Sequence, residues 1–531
     1  MRELRLLGLV ALATITPMGG CGSSGSSTST DGGHHPSSDT GISDSASPRD
    51  RSVRDTGQAP VDAGSTDTGT NARSPRDAPS DTHHSSDAQG GDSGRDAEPS
   101  DGAHDAAPLP DSGHDAAASP FLDPTFGGGA GYVTTALNAG TPDSNDPLAL
   151  AIDAQGRIVV AGTSENLNET NAGAWRFDAN GAADTTFASN GAWFVFGTNN
   201  GGYDGVNGLC VDGQGNVLMT GQSNNNSPYY MALWRLTGSG ALDSTFAGGG
   251  YVSATSTAPT GGAYDVGYGV ACSAAGPVVT GTSLGSGHQE FMATWRYTET
   301  GALDTAGFNT PAGAVVKANT AGGSSTSRDE GSGVRVDGSG RIVVAGGSED
   351  ATDGEQVVVW RYLSNGAPDT AGFGGSGHVV VPGPAAVPSA GGGGPAFDSN
   401  GNILVFGDGE LGEVSNAFVA RITSAGTVDS TFGSSGYALV SDPHGSELVD
   451  ITAIAVDSMN RIVLAGLVGG FSGGIVWRLT PSGTLDTTFG DNGVVALPGS
   501  ANALAVDAAD RPVVTGNEAT GGALIVWRLH S

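Results

Sequence analysis

Three short motifs recur in one order, seven times, between residues 121 and 531, and this periodicity limits the fold more than any other feature of the chain. The first is an Asp-x-x-Gly turn leading into a run such as Arg157-Ile158-Val159-Val160-Ala161-Gly162. It occupies 153–162, 212–221, 337–346 and 398–407. Copies at 457–466 and 507–516 keep the apolar run without the turn glycine, and a copy at 273–281 is one residue short. The second motif is Trp-Arg, at Trp175, Trp234, Trp295, Trp360, Trp477 and Trp527, with Ala420-Arg421 in the remaining copy. The third, of the form Leu-Asp-x-Thr-Phe, is centred on Asp123, Asp184, Asp243, Asp304, Asp369, Asp429 and Asp486. The period is about 59 residues, in the range of propeller and solenoid repeats.

Each unit contains four short runs of strand character, at 131–135, 148–153, 157–162 and 174–177 in the first copy. They are rich in β-branched and aromatic residues and bounded by Gly, Asn, Asp or Pro, and no helical periodicity competes. A unit this small cannot bury its own faces, so the units must stack. The run Ile158-Val159-Val160-Ala161 is continuously apolar rather than alternating, as a strand covered on both faces should be. The repeat region opens with Leu122-Asp123-Pro124-Thr125-Phe126 and stops just after Trp527-Arg528-Leu529, where that segment would come next. The ends therefore complement one another. The expectation is an all-β, seven-bladed β-propeller of four-stranded blades over 121–531 rather than an open solenoid.

On these motifs the chain resembles the delta-60 repeat, a predicted propeller repeat of secreted and surface proteins of delta-proteobacteria and relatives, which implies a myxobacterial-type exported protein and no particular activity. The N-terminus points the same way. Residues 1–21 place Arg2 and Arg5 ahead of an apolar run from Leu6 to Met18, then Gly19-Gly20-Cys21. This resembles a bacterial lipoprotein signal, with Met18 in place of the usual leucine, and implies lipidation of Cys21 and a membrane anchor. Residues 22–120 are Ser, Asp, Gly, Ala, Thr, Pro and His with scarcely an aliphatic side chain. Such a segment cannot bury a core, and is expected to be a disordered, self-repelling tether carrying six of the ten histidines.

With 55 acids against 22 bases the net charge is -33, and no basic stripe interrupts it, which excludes nucleic acid as a partner. Three cysteines are too few for a disulfide scaffold or a cysteine-ligated zinc site. Cys210 and Cys272 stand on equivalent strands one position apart relative to the turn, hence on opposite faces, and read as buried free thiols.

Residues repeated in every unit solve packing, because a ring has one axis but must pack each blade. The Arg after each Trp and the Asp of each third motif therefore read as a charge-assisted latch. Antiparallel strands put the repeated turns on one rim and the irregular loops on the other. The variable side then carries about -18 against about -5 on the repeated side. Its candidate binding residues are Asp143, Asp146, Glu165, Glu169, Asp204, Asp265, Asp329, Glu330, Glu349, Asp350, Asp353, Glu355, Glu410 and Glu413. Such a rim suits an unknown cationic ligand or protein partner. Calcium is the sharpest alternative, with 348–355 the densest acidic stretch, although no EF-hand or nonapeptide spacing is present. No other cofactor is implied.

Catalytic motifs are absent in any specific form. Gly281-Thr282-Ser283-Leu284-Gly285 and Gly470-Phe471-Ser472-Gly473-Gly474 both fit a nucleophile-elbow pattern, but neither lies between a strand and a helix. The leading expectation is a cell-envelope lipoprotein, anchored in the cell or outer membrane, whose propeller is a non-catalytic binding or scaffolding module. Its alternatives are a lyase- or glycosidase-type propeller using loop carboxylates, and a structural surface or adhesion protein.

Overall fold

The computed structural model describes residues 119–531 except 136–143, 166–168, 196–197, 199–201, 225–228, 256, 263, 288, 324–326, 353, 386, 388–390, 412–413, 442–448, 470–472 and 520–521. All of them belong to the second of two compact units, His104–Ser531. The signal, Cys21 and most of the expected tether lie outside the described residues.

One pattern of four antiparallel strands recurs through the described residues. After β1 (Tyr132–Thr135), the first set is β2 (Ser144–Ile152), β3 (Ile158–Glu165), β4 (Thr170–Phe177) and β5 (Ala192–Val195). The second is β6 (Tyr203–Val211), β7 (Val217–Asn224), β8 (Tyr229–Leu236) and β9 (Tyr251–Ala254). The third is β10 (Tyr264–Ala271), β11 (Val278–Leu284), β12 (Glu290–Arg296) and β13 (Ala314–Lys317), and the fourth β14 (Asp329–Val336), β15 (Ile342–Glu349), β16 (Glu355–Tyr362) and β17 (His378–Val381). The fifth is β18 (Gly391–Phe397), β19 (Ile403–Leu411), β20 (Val414–Ile422) and β21 (Tyr437–Val440). The sixth is β22 (Val449–Val456), β23 (Ile462–Val468), β24 (Gly473–Leu479) and β25 (Val494–Leu497). The last contains β26 (Ala503–Val506), β27 (Pro512–Asn517) and β28 (Leu524–Arg528), and its fourth strand is β1, paired with β28 from Tyr132↔Trp527 to Thr135↔Leu524.

The Asp of each turn motif makes its hairpin. Asp153 Oδ1 accepts the backbone N–H groups of Gln155 and Arg157, Oδ2 accepts Arg157 Nε at 2.6 Å, and Gly156 takes φ 77°. The two copies without this glycine place Asn460 and Asp510 there, at φ 61° and 59°, residue types that tolerate the left-handed region. The glycine ending runs such as 157–162 and 341–346 has a different cause. A bulge in the adjacent first strand pushes a carbonyl against it, so that a Cβ on Gly162 would lie 2.0 Å from Asp146 O and one on Gly346 2.0 Å from Glu330 O.

Each buried apolar cluster joins two consecutive sets. Val159, Ala161, Met219 and Trp234 link the first and second; Val463, Val476, Val514 and Trp527 link the sixth and last. Ile158, Val160 and Trp175 pack with Val513, Leu524 and Val526, which brings the last set against the first. The expected latch is present throughout. Arg176–Asp184, Arg235–Asp243, Arg296–Asp304, Arg361–Asp369, Arg421–Asp429, Arg478–Asp486 and Arg528–Asp123 pair at 2.6–2.9 Å. Every one of these guanidinium groups also lies over a phenylalanine ring, 4.4–5.0 Å from its centroid.

The cysteines depart from expectation. Cys210 and Cys272 form a disulfide with Cα atoms 5.8 Å apart. Their one-position offset does put them on opposite faces of their own sets. Because consecutive sets present opposite faces to each other, that offset brings the two thiols together.

Candidate binding site on the variable rim

The third strand of one set begins beside the first strand of the next, and parallel bridges join them there: Thr170↔Tyr203, Tyr229↔Tyr264 and Glu290↔Arg328. These positions are equivalent, five residues before each Trp and one residue before each Asp204, Asp265 and Asp329. The core below them is repeated but the residues themselves are not. Across four sets the rim therefore passes from an aromatic row to an ionic cluster.

The row consists of Tyr203, Tyr229 and Tyr264, all half-buried, with successive centroids 6.3 and 4.9 Å apart. At its first end stand Asp146 and Glu165. Burial, aided by the Glu165 charge, pushes the Asp146 carboxyl up to about 6. Burial also raises the Tyr203 phenol; a hydrogen bond with Gln222 opposes this, while Tyr229, Glu165 and Asp146 add to it. At the far end burial raises Tyr264 and Tyr268, with Glu290 contributing to both and Glu330 to Tyr268. Arg328 Nε donates to Glu290 at 2.8 Å, its Nη2 lies 3.8 Å from Glu330, and its backbone N–H donates to Glu349 at 3.1 Å. Burial alone would lower this guanidinium, but Glu290 and Glu330 hold it above its ordinary value.

The fourteen acids named from the sequence divide into groups. Asp143, Asp353 and Glu413, with the side chain of Glu410, lie outside the described residues. Glu165 and Glu169 are exposed, and Asp146, Glu330, Glu349 and Glu355 are half-buried at the rim. Asp204, Asp265 and Asp329 are buried and face the interior, a correction to their place on a solvent-facing surface. Each accepts a threonine hydroxyl, from Thr198 at 3.0 Å, Thr257 at 2.5 Å and Thr320 at 2.6 Å. Those hydroxyls in turn accept the indole N–H of Trp234, Trp295 and Trp360. Burial raises the Asp265 and Asp329 carboxyls against hydrogen bonds that pull them down. These three carboxyls anchor the tryptophans.

Asp350 is likewise committed to its own turn: Oδ1 accepts Thr352 N and Oγ1 and Gly354 N, and Oδ2 accepts Gln356 Nε2. Among the described residues no group of three or more His, Cys, Asp or Glu side chains could hold a metal ion. Ser283 of the first elbow-like motif is fully buried in β11 and donates to Asp265 Oδ1 at 2.5 Å, so its role is structural. His288, Phe471 and Ser472 lie outside the described residues. Sequence reasoning missed Glu290 and the tyrosines. Their signal was the repeated Tyr-Asp pair at 203–204 and 264–265, on register with the tyrosines at 229–230.

Two surface clefts, of about 320 and 250 Å³, lie at the opposite rim between consecutive sets. Charged groups lining them are already engaged, as in Arg341–Asp337 at 2.6 Å and Arg528–Asp123 at 2.8 Å.

The stacked four-stranded sets define a β-propeller repeat protein. Residues 155–187, 338–371, 399–432 and 460–489 match a family described as a domain of unknown function (DUF5122) beta-propeller. No curated protein matches the chain in sequence. Similar solved structures include Sqt1 from Chaetomium thermophilum, 13% identical over 75% of this chain and 98% of that one with a TM-score of 0.41. The polysaccharide lyase Uly1 is 11% identical over 74% and 91%, with a TM-score of 0.40. A catalytically inactive virginiamycin B lyase from Staphylococcus aureus, solved with quinupristin, is 12% identical over 75% and 100%, with a TM-score of 0.37. No helix among the described residues is long and apolar enough to cross a membrane.

Proposed function

We propose that this chain is an exported lipoprotein of the cell envelope, of the delta-60 repeat type. In this reading Cys21 carries the lipid, residues 22–120 form the tether, and 121–531 close into a seven-bladed propeller that binds a cationic partner through its variable rim. The observation that carries the reading is the gathering of Asp146, Glu165, Glu290, Glu330, Glu349 and Glu355 on one rim, with Arg328 among them, while the repeated rim uses its charges in latches. Fixed carboxylates above an apolar core focus a negative potential that draws cations and repels polyanions. The Cys210–Cys272 disulfide suits an oxidising compartment, as export requires. Of the metal alternatives, a calcium site at 348–355 is disfavoured by the engagement of Asp350 within its turn.

The test is calorimetric titration of the full chain with a lysine decamer and with a glutamate decamer at 50 and 300 mM NaCl. The lysine peptide should bind, weakening at least tenfold at the higher salt, and the glutamate peptide should not. Equal behaviour of the two peptides would remove the electrostatic basis of the proposal.

A further inference from the structure

The variable rim carries a feature that charge alone does not require. Three tyrosines occupy the bridge positions between the first three sets, where the next bridge holds an ion pair. Tyr203, Tyr264 and Arg328 are equivalent residues, as are Thr170, Tyr229 and Glu290. At the third bridge the protein thus displays a guanidinium seated at the rim, 2.8 Å from Glu290 and 3.8 Å from Glu330. At the first two bridges no base stands at the corresponding places. Aromatic rings stand there instead, with Asp146 and Glu165 at one end of the row and Glu290 at the other.

Resting on the reading of the rim as a cation-binding surface, we infer that the partner presents arginine side chains on an extended segment, stacked along Tyr203, Tyr229 and Tyr264 and paired with the flanking carboxylates. A guanidinium is planar, weakly hydrated and able to stack on a ring while its N–H groups reach a carboxylate. An ammonium is a compact, strongly hydrated charge that gains less from such a row. The rings succeed one another at 6.3 and 4.9 Å, with planes inclined by 71° and 56°, in a row that runs from β6 to β8 of the second set and over one sheet boundary to β10 rather than forming a closed cage, which suits an extended chain over a single small cation. The inner strands beneath are tied together, since β6 runs from Tyr203 towards Cys210 and β10 from Tyr264 to the residue before Cys272. The disulfide holds these two strands in fixed register at one end while the tyrosines meet at the other, so the track is positioned before any ligand arrives.

The experiment compares an arginine tetramer with a lysine tetramer, equal in length and charge, on the full chain by calorimetry and tyrosine fluorescence. The arginine peptide should bind about tenfold more tightly. Replacing Tyr229 and Tyr264 together by alanine should weaken the arginine peptide about tenfold more than the lysine peptide and so erase that preference, whereas Tyr229→Phe with Tyr264→Phe should preserve it. Circular dichroism and a melting curve establish that each variant is folded. Equal affinities for the two peptides, or a preference that survives the alanine variant, overturns the inference while the cation-binding reading stands. Binding by neither peptide overturns both.

Discussion

Arg361 shows how a single repeated residue holds the fold. It is 2% exposed, lies 4.5 Å from the Phe373 centroid and donates to Asp369, to Gly372 O at 2.5 Å and to Ser424 O at 2.6 Å in the following set. The sequence made the Arg–Asp pairing legible because both partners recur in step. It gave no sign of the third partner, a backbone carbonyl about one period away, because carbonyls have no side-chain signature. Yet that bond ties one set to the next. Lysine at 361 keeps the charge but cannot serve the carboxylate, both carbonyls and the ring together. Arg361→Lys is expected to lower unfolding free energy by about 2 kcal/mol, and Arg361→Ala by about 3–5, since a buried Asp369 is then left without its cation. Arg157, whose side chain is 27% exposed in its pair with Asp153, provides the control, with Arg157→Ala costing about 1 kcal/mol or less. Urea titration of the three variants reads the difference directly.

At the scale of strands, the first strand of each set does two jobs. Its bulge and repeated residues pack the ring, and its rim end carries what differs between sets. The strand runs were legible because apolar residues covered on both faces leave a continuous pattern, as Val343 and Val344, 1% and 0% exposed, confirm. The candidate site was less so. Asp204, Asp265 and Asp329 counted as surface charge because an aspartate at a strand start usually faces water. Their threonine partners lie in the loops just before, 6 to 9 residues away, and the tryptophans on the third strand of the set, 30 to 31 residues away. The cysteines failed for a related reason: opposite faces separate residues within one sheet but unite them between neighbours. The Cys210–Cys272 cross-link closes a 62-residue separation and joins β6 to the residue just past β10, the equivalent strand of the adjacent set. By chain-entropy reasoning it stabilises the fold by about 2–4 kcal/mol. Cys210→Ser with Cys272→Ser should lose that amount in guanidinium unfolding. Added reductant should lower the wild type to the same level and leave the double variant unchanged; a reductant effect in the double variant would place the sensitivity elsewhere.

For the whole molecule the decisive contact joins residues far apart in sequence. Asp123 Oδ2 accepts Arg528 Nε at 2.8 Å and Arg511 Nη1 at 2.9 Å, beside the pairing of β1 with β28. The sequence foretold this pairing through its complementary ends, since Leu122-Asp123 begins the motif that Trp527-Arg528 lacks. Burial would raise the Asp123 carboxyl, but hydrogen bonds from Thr125 and the Arg528 charge outweigh it and hold the group at about 2. The equivalent carboxyls of Asp184, Asp243, Asp304, Asp429 and Asp486 are also lowered, with burial opposed by threonine or backbone hydrogen bonds and by the latch arginine. A carboxyl held below its unfolded value binds fewer protons in the native state. Its stabilisation is therefore complete above about pH 4 and is lost as the pH falls towards 2. For Asp123 alone the shift corresponds to about 2–3 kcal/mol. Asp123→Asn should cost about that much at pH 7, and the gap between variant and wild type should narrow through pH 4 to 2, as the unfolded carboxyl and then the native one take up protons. Denaturant unfolding at pH 7, 4 and 2.5 measures the gap. One that stays constant with pH would mean that residue 123 holds the ends together by shape and neutral hydrogen bonds rather than by its charge.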